Sequence, residues 1–391
     1  MVERKKICFL CPWMNVEGGL QRVVTNLANR MAEIYEVTVC IISVNQRTPY
    51  YSLDKRIAID YLPSAAYGNQ RFLSRAIGKI LGNHKINGAN SLYEEIYYPS
   101  KRICALENYL KNKQYDAVIA VCGDISLLLS FVDRNAVKSK FIGWQHNSYE
   151  DYFCKKGFYY YGREKIAGIH YKNLDNLVTL TKIDSERYKS ELGIKAISIY
   201  NPLTFNKVED SIIKDHIILF VGRLDWVQKG LDHLIQIIYQ ICKEGDLQDW
   251  KVLIAGDGAD RVRFEKEIAK LNLSAKIQML GKIDNVKDYY QKASILLNTS
   301  NWEGFGLVIT EALECGVPVV SFETDGPSEI IENGKNGFLV EKYNETLFSK
   351  KVIKLMRDEK LRQIFSENAK KRAEEFDMEQ IIVRWKRLIE E

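Results

Sequence analysis

The chain has 391 residues, of which 46% are hydrophobic and 27% charged, with a formal net charge of +5. That composition is ordinary for a soluble globular protein and excludes collagen-like, disordered and disulfide-scaffold classes, while at about 150 residues per domain the length favours two or three domains. Residues 1–200 hold 28 Lys and Arg against 19 Asp and Glu (+9) and residues 201–391 hold 28 against 32 (−4), so the front half is the half suited to an anionic partner.

Ile7–Cys11 reads as a short apolar strand and Pro12–Gly19 as a loop. In Leu20–Met31, residues Leu20, Val23, Val24, Leu27, Ala28 and Met31 fall on one helical face, and Val37–Ile42 is a buried β-branched strand. Further strands are expected at Ile57–Leu62, Ala117–Val121, Phe141–Gly143, Leu177–Leu180 and Ala196–Tyr200. Residues 69–102 are polar, basic and rich in Gly, Asn and Tyr, and read as a helical excursion outside the core. Pro202 marks a boundary. Strands at Ile217–Gly222, Val252–Gly256, Ile277–Gly281, Ile295–Asn298, Val317–Phe322 and Phe338–Val340 then alternate with helices at Leu231–Lys243, Asp260–Leu271, Leu307–Cys315 and Pro327–Glu332. Such continuously apolar strands imply parallel sheets covered on both faces. The expected architecture is α/β, with two doubly wound Rossmann-like domains, 1–202 and 203–375, followed by a terminal helix over 376–391 whose apolar face at Ile381, Ile382, Trp385 and Leu388 is expected to pack back on the first domain. Ligands of such sheets bind at the carboxyl ends of the strands, and with two domains the expected site is the cleft between them.

No run reaches the roughly 18 apolar residues of a membrane-spanning helix, and the apolar run after the basic start is too short for a secretory segment. The expected location is cytoplasmic. The eight Cys sit mostly in apolar runs, as reduced thiols do. Cys8 and Cys11 form a CxxC within a strand, with no second pair nearby, and read as structural.

The chemistry-bearing stretch is Asn301–Leu313, directly after a strand. Glu303 and Glu311 stand eight apart, and Gly304, Phe305 and Gly306 between them offer backbone N–H groups to a ligand where Leu307 opens a helix. Glu311, inside the helix, can accept two bonds from a vicinal diol, and Glu303 can accept from sugar hydroxyls. Arg223 and Lys229 follow another strand end, Gly18 and Gly19 precede the first helix, and His146 follows Trp144 and Gln145 at a third strand end.

These segments together resemble retaining glycosyltransferases of family four, which have the GT-B fold of two Rossmann-like domains facing each other across a cleft. The likeness rests on Glu303 to Glu311, on Phe220 to Asp225 with Lys229 and Gly230, on Gly18 and Gly19, and on Gly316 to Val320 followed by Asp325 to Glu329 and Gly334 to Val340. It runs through nearly all of the rear domain, and in the front domain only through the first loop and the region of His146. The resemblance implies that Arg223 and Lys229 bind a donor diphosphate, that His146 lies beside the donor sugar, and that the backbone around Ile283 bonds the nucleobase. It further implies a hexosyltransferase that needs no metal or cofactor and retains anomeric configuration. The donor is expected to be a nucleotide-sugar, a UDP-sugar in particular. The acceptor is expected to be a lipid-linked glycan or surface polysaccharide. The catalytic set is then Glu303, His146, Arg223 and Lys229, and the donor-binding set adds Gly18, Gly19, Ile283, Gly304, Phe305, Gly306, Leu307 and Glu311.

Two rival readings stand beside this one: a non-catalytic partner subunit with a decayed site, and a Rossmann-type oxidoreductase. Intact Glu303, Glu311, Arg223 and Lys229 weigh against the first, and the missing dinucleotide fingerprint at Gly18 weighs against the second. No nucleic-acid partner is expected. Arg71, Arg75 and Lys79 on one face of a short helix, and seven aromatics with Lys155 and Lys156 between Tyr149 and Tyr161, suggest peripheral attachment to an anionic inner membrane face. The same segments also read as ordinary amphipathic packing.

Overall fold

The computed structural model describes residues 4–43, 47–65, 90–155, 160–205, 214–244 and 249–391. The chain forms two compact units, Met1–Pro202 with Met378–Glu391, and Leu203–Asp377.

In the first unit, strands β1 (Lys6–Cys11), β2 (Glu36–Ile41), β3 (Ala58–Tyr61), β4 (Ala117–Val121), β5 (Lys140–Trp144), β6 (Asn176–Thr179) and β7 (Ala196–Ser198) form one parallel sheet in the order β3-β2-β1-β4-β5-β6-β7. Five successive residues of β1, Ile7 to Cys11, are wholly buried, as a strand covered on both faces requires. Burial also pushes the Cys8 and Cys11 thiols up, and both are free cysteines inside the sheet. Helices α1 (Gly19–Met31), α2 (Asn90–Tyr97), α3 (Ser100–Lys113), α4 (Gly123–Ser130), α5 (Glu164–His170) and α6 (Lys182–Leu192) belong to this unit. Helix α1 buries Val23, Val24, Leu27, Ala28 and Met31.

One expectation for this unit needs correction. Part of the polar stretch 69–102 is core: Tyr97 and Tyr98 are buried, and the buried Arg102 pairs with Asp124 at 2.8 Å while donating to the Ala65 and Tyr97 carbonyls. A guanidinium satisfied on all sides can be buried where its charge alone suggests solvent. Of the seven aromatics between Tyr149 and Tyr161, Phe158 and Tyr159 lie outside the described residues. Tyr149, Tyr152 and Phe153 are buried, Tyr160 packs on Tyr152 at 4.9 Å, and Lys155 bonds Asp151 at 2.5 Å. Lys156 and the Arg71–Lys79 helix lie outside the described residues.

The second unit holds β8 (Ile217–Val221), β9 (Lys251–Ala255), β10 (Ile277–Gly281), β11 (Ile295–Asn298), β12 (Val319–Phe322) and β13 (Gly337–Val340), parallel throughout, in the order β10-β9-β8-β11-β12-β13. Counted within the unit this is the 3-2-1-4-5-6 order of doubly wound dinucleotide folds, with its switch point between β8 and β11. Its helices are α7 (Leu231–Glu244), α8 (Arg261–Lys270), α9 (Val286–Lys292), α10 (Leu307–Glu314), α11 (Asp325–Ile330), α12 (Glu345–Arg357) and α13 (Glu359–Ala373). The side chains of Asn344 and Asp358 cap α12 and α13 by accepting from Leu347 and Leu361 N–H.

The chain then returns to the first unit as α14 (Met378–Glu390). This helix lies against α1, where Arg30 bonds Glu379 and Tyr35 donates to Glu390 at 3.1 Å. Its wholly buried Trp385 meets Trp144 of β5 edge-on, ring centres 5.0 Å apart. Among the described residues no helix is long and apolar enough to cross a membrane.

Candidate active site

The switch point of the second sheet gathers the charged residues singled out above. The turn after β8 carries Arg223, and the same connection ends in Lys229 before α7 begins. Lys229 donates from Nζ to Glu303 Oε1, and both side chains are mostly buried. Ser300 Oγ stands 2.9 Å from both Glu303 Oε1 and Asn298 Oδ1, so its one proton serves either acceptor. Gly230 fixes where Lys229 points: its φ is +57°, and a Cβ there would stand 2.2 Å from the Thr299 carbonyl oxygen. Arg223 is the opposite case, two-thirds exposed and bonded to Gln228 Oε1 at 2.8 Å. Lys229 is thus held by a mostly buried carboxylate, whereas the more exposed Arg223 is held by Gln228 and, at 3.9 Å, by Asp225.

The loop between the two glutamates enters α10 through Gly306, the N-cap residue at φ +103°. Phe305 is buried and its ring lies 5.8 Å from Phe376, so its side chain belongs to the core and only its backbone can face a ligand. Gly304 and Leu307 are half-buried. Glu311 is 1% exposed. Thr204 Oγ1 donates to its Oε1 at 2.7 Å and Tyr290 OH to its Oε2 at 3.0 Å. One turn on, Glu314 lies in the same buried neighbourhood; burial, reinforced by the Glu311 charge, pushes its carboxyl up to about 7. Ile283 follows β10, whose register against β9 shifts between Met279 and Gly281 as the strand ends.

The first unit presents its residues at carboxyl strand ends as well. Gly18 is the N-cap of α1 and Gly19 its first residue, so the helix starts one residue earlier than expected. Extra bulk at Gly18 would meet the Gln21 side chain at 2.4 Å. His146 follows β5 with its ring 4.3 Å from that of Trp144, and its backbone N–H bonds Tyr152 OH at 3.3 Å. The same phenol accepts from Gly123 N–H, tying the ends of β4 and β5 together. Burial pushes the His146 imidazole down to about 3, so it is neutral near pH 7.

Within the second unit, then, Lys229 and Glu303 meet directly, and Arg223 and Glu311 come from the same switch-point elements. Gly18, Gly19 and His146 stand at the β1 and β5 ends of the first sheet. The partners Thr204, Tyr290, Gln228 and Ser300 were not anticipated. Thr204 and Glu311 are 107 residues apart, and nothing in the sequence near either marks the contact.

Residues 204–372 match the family model of glycosyl transferases group 1. The chain is 26% identical over 393 residues to the amylovoran biosynthesis glycosyltransferase AmsD of Erwinia amylovora, covering 97% of this chain and 98% of that one. It is 27% identical over 392 residues to the GalNAc-alpha-(1->4)-GalNAc-alpha-(1->3)-diNAcBac-PP-undecaprenol alpha-1,4-N-acetyl-D-galactosaminyltransferase of Campylobacter jejuni, covering 99% and 98%. In structure it is similar to Anabaena HepE in complex with UDP, with a TM-score of 0.73, 16% identity, and 98% and 99% of the two chains covered. The two Rossmann-like units are those of the GT-B fold.

Proposed function

We propose that this chain, a glycosyltransferase whose residues 204–372 belong to the glycosyl transferases group 1, moves a hexosyl group from a UDP-sugar to a hydroxyl of a glycan acceptor with retention of configuration. The observation that carries the reading is the Lys229–Glu303 pair at the β8/β11 switch point, beside the N-terminus of α10. A cation and a sugar-binding carboxylate are held there where a doubly wound sheet takes its ligand. In this reading Lys229 and Arg223 take the diphosphate, as N–H groups of Gly304, Phe305, Gly306 and Leu307 approach it. Glu303 accepts from sugar hydroxyls, Glu311 from the ribose diol, and the backbone at Ile283 bonds the base.

Transfer breaks the bond between the anomeric carbon and the leaving phosphate oxygen, whose developing charge the two cations stabilise. The acceptor oxygen bonds the anomeric carbon on the same face, and its proton goes to the departing phosphate. The same reading assigns His146, kept neutral by burial, to the donor sugar as a hydrogen-bonding group, and the backbone of Gly18 and Gly19 to the phosphates. The acceptor is a lipid-linked or surface glycan met at the inner face of the cell membrane. The PP-undecaprenol in the printed name of the Campylobacter relative supports the lipid-linked acceptor.

Nucleoside diphosphate release, measured across a panel of UDP-, GDP- and ADP-sugars, tests the reading. Release from a UDP-sugar, accelerated by a glycan acceptor and continuing in excess EDTA, is expected, because fixed cations serve the diphosphate. No release from any donor would overturn it.

A further inference from the structure

Glu311 is a carboxylate inside a buried helix, where an uncompensated charge is costly and an unoriented one is of little use to a ligand. Both of its oxygens are met by hydroxyl groups from other elements: Thr204, at the start of the second unit, and Tyr290, in α9. Tyr290 is itself wholly buried. The Lys214 ammonium fixes its surroundings from below, donating to the Tyr290 carbonyl at 3.1 Å and to the Cys315 carbonyl at 2.7 Å. One lysine thereby ties the carboxyl end of α9 to that of α10, the helix that carries Glu311. A carboxylate offers about four acceptor positions, and two rigid donors, one on each oxygen, fix the plane in which the others lie.

We infer that Thr204 and Tyr290 are positioning residues that orient Glu311 toward the vicinal diol of the donor's ribose, and so set the preference of the site for ribonucleotides. The inference rests on the reading of Glu311 given above, and it assigns a specificity role to two hydroxyls that need not touch the nucleotide.

The test compares binding of UDP, GDP and ADP, by calorimetry, with binding of the 2′,3′-dideoxy analogue of whichever binds tightest. Wild-type protein is expected to prefer the ribonucleotide. Tyr290→Phe and Thr204→Val should each reduce that preference about tenfold, the order of one hydrogen bond to a charged group. Binding of the dideoxy compound should change little, and Thr204→Ser should restore the preference. A general loosening of the fold would weaken both ligands alike, and thermal melting of each variant reports it separately. If wild-type protein does not distinguish the two nucleotides, or binds none of the three, the ribose role of Glu311 falls and the inference falls with it. If wild-type protein distinguishes them and both variants keep the same ratio, only the positioning role is overturned.

Discussion

Lys229 and Glu303 are 74 residues apart in the chain and joined by one ion pair. In the proposed reaction each has work of its own, for which the ammonium keeps further N–H donors and the carboxylate further acceptor positions beside the pair. Lys229→Ala and Arg223→Ala are each expected to lower turnover by roughly 10²-fold, the order seen when one preorganised charge-stabilising donor is lost. Steady-state rates near wild type in both would remove the diphosphate assignment. Glu314 gives a different kind of test. Its carboxyl is held near 7 against an ordinary 4.5, chiefly by burial and then by Glu311, with Asp377 adding to the push and Lys287 and the Phe205 N–H opposing it. The folded state therefore keeps a proton that the unfolded chain gives up, and stability declines as pH rises from about 4.5 to 7. Glu314→Gln should match wild type in urea midpoint at pH 4 and exceed it at pH 8; equal midpoints at pH 8 would show that the carboxyl carries no such cost.

At the scale of elements, the parallel strands were readable because residues such as Ile7 to Cys11 are buried on both faces and hence apolar without interruption. The turns after β8 and β11 were readable because glycine and charge in sequence mark them. What escaped was burial achieved by polar satisfaction. Arg102, Asp124 and Tyr98 form a closed hydrogen-bonded group, and their composition imitates a surface loop. The partners of Glu311 escaped for a related reason: Thr204 and Tyr290 come from different elements, and a contact across a fold leaves no period in the chain. Helix α14 lies between the two cases. Its apolar face at Ile381, Ile382, Trp385 and Leu388 and a return to the first domain are expected from the sequence, and the partners Trp144 and α1 are what the fold adds. Trp385→Ala should cost about 3–5 kcal/mol, as large buried aromatics do when truncated. Thermal unfolding followed by Trp fluorescence reads the loss; an unchanged melting temperature would mean that α14 contributes little to its unit.

Across the whole molecule the charge is divided, +9 over residues 1–200 and −4 over the remainder. A front half of that sign should bind anionic vesicles reversibly, each basic residue near the surface contributing about 1 kcal/mol. Co-sedimentation with phosphatidylserine vesicles is expected to exceed that with phosphatidylcholine and to weaken with salt, since the screening length is about 8 Å at physiological ionic strength. Equal sedimentation with both lipids, or none with either, would assign the basic charge to an anionic acceptor instead.

The chain leaves the first unit at Pro202 and re-enters it at Met378. On the ribosome this ordering has a consequence. The second unit is one unbroken run, Leu203–Asp377, and can close as soon as it has emerged. The first unit, though synthesised earlier, must wait for Met378–Glu391, leaving Trp144 without its Trp385 neighbour while 175 residues are translated. At about 5–20 residues per second the first unit lacks its last helix for roughly 9–35 seconds. Completion of the domain made first is thus timed by completion of the domain made second, and a truncation anywhere beyond Pro202 reaches back to damage a fold whose sheet it never touches.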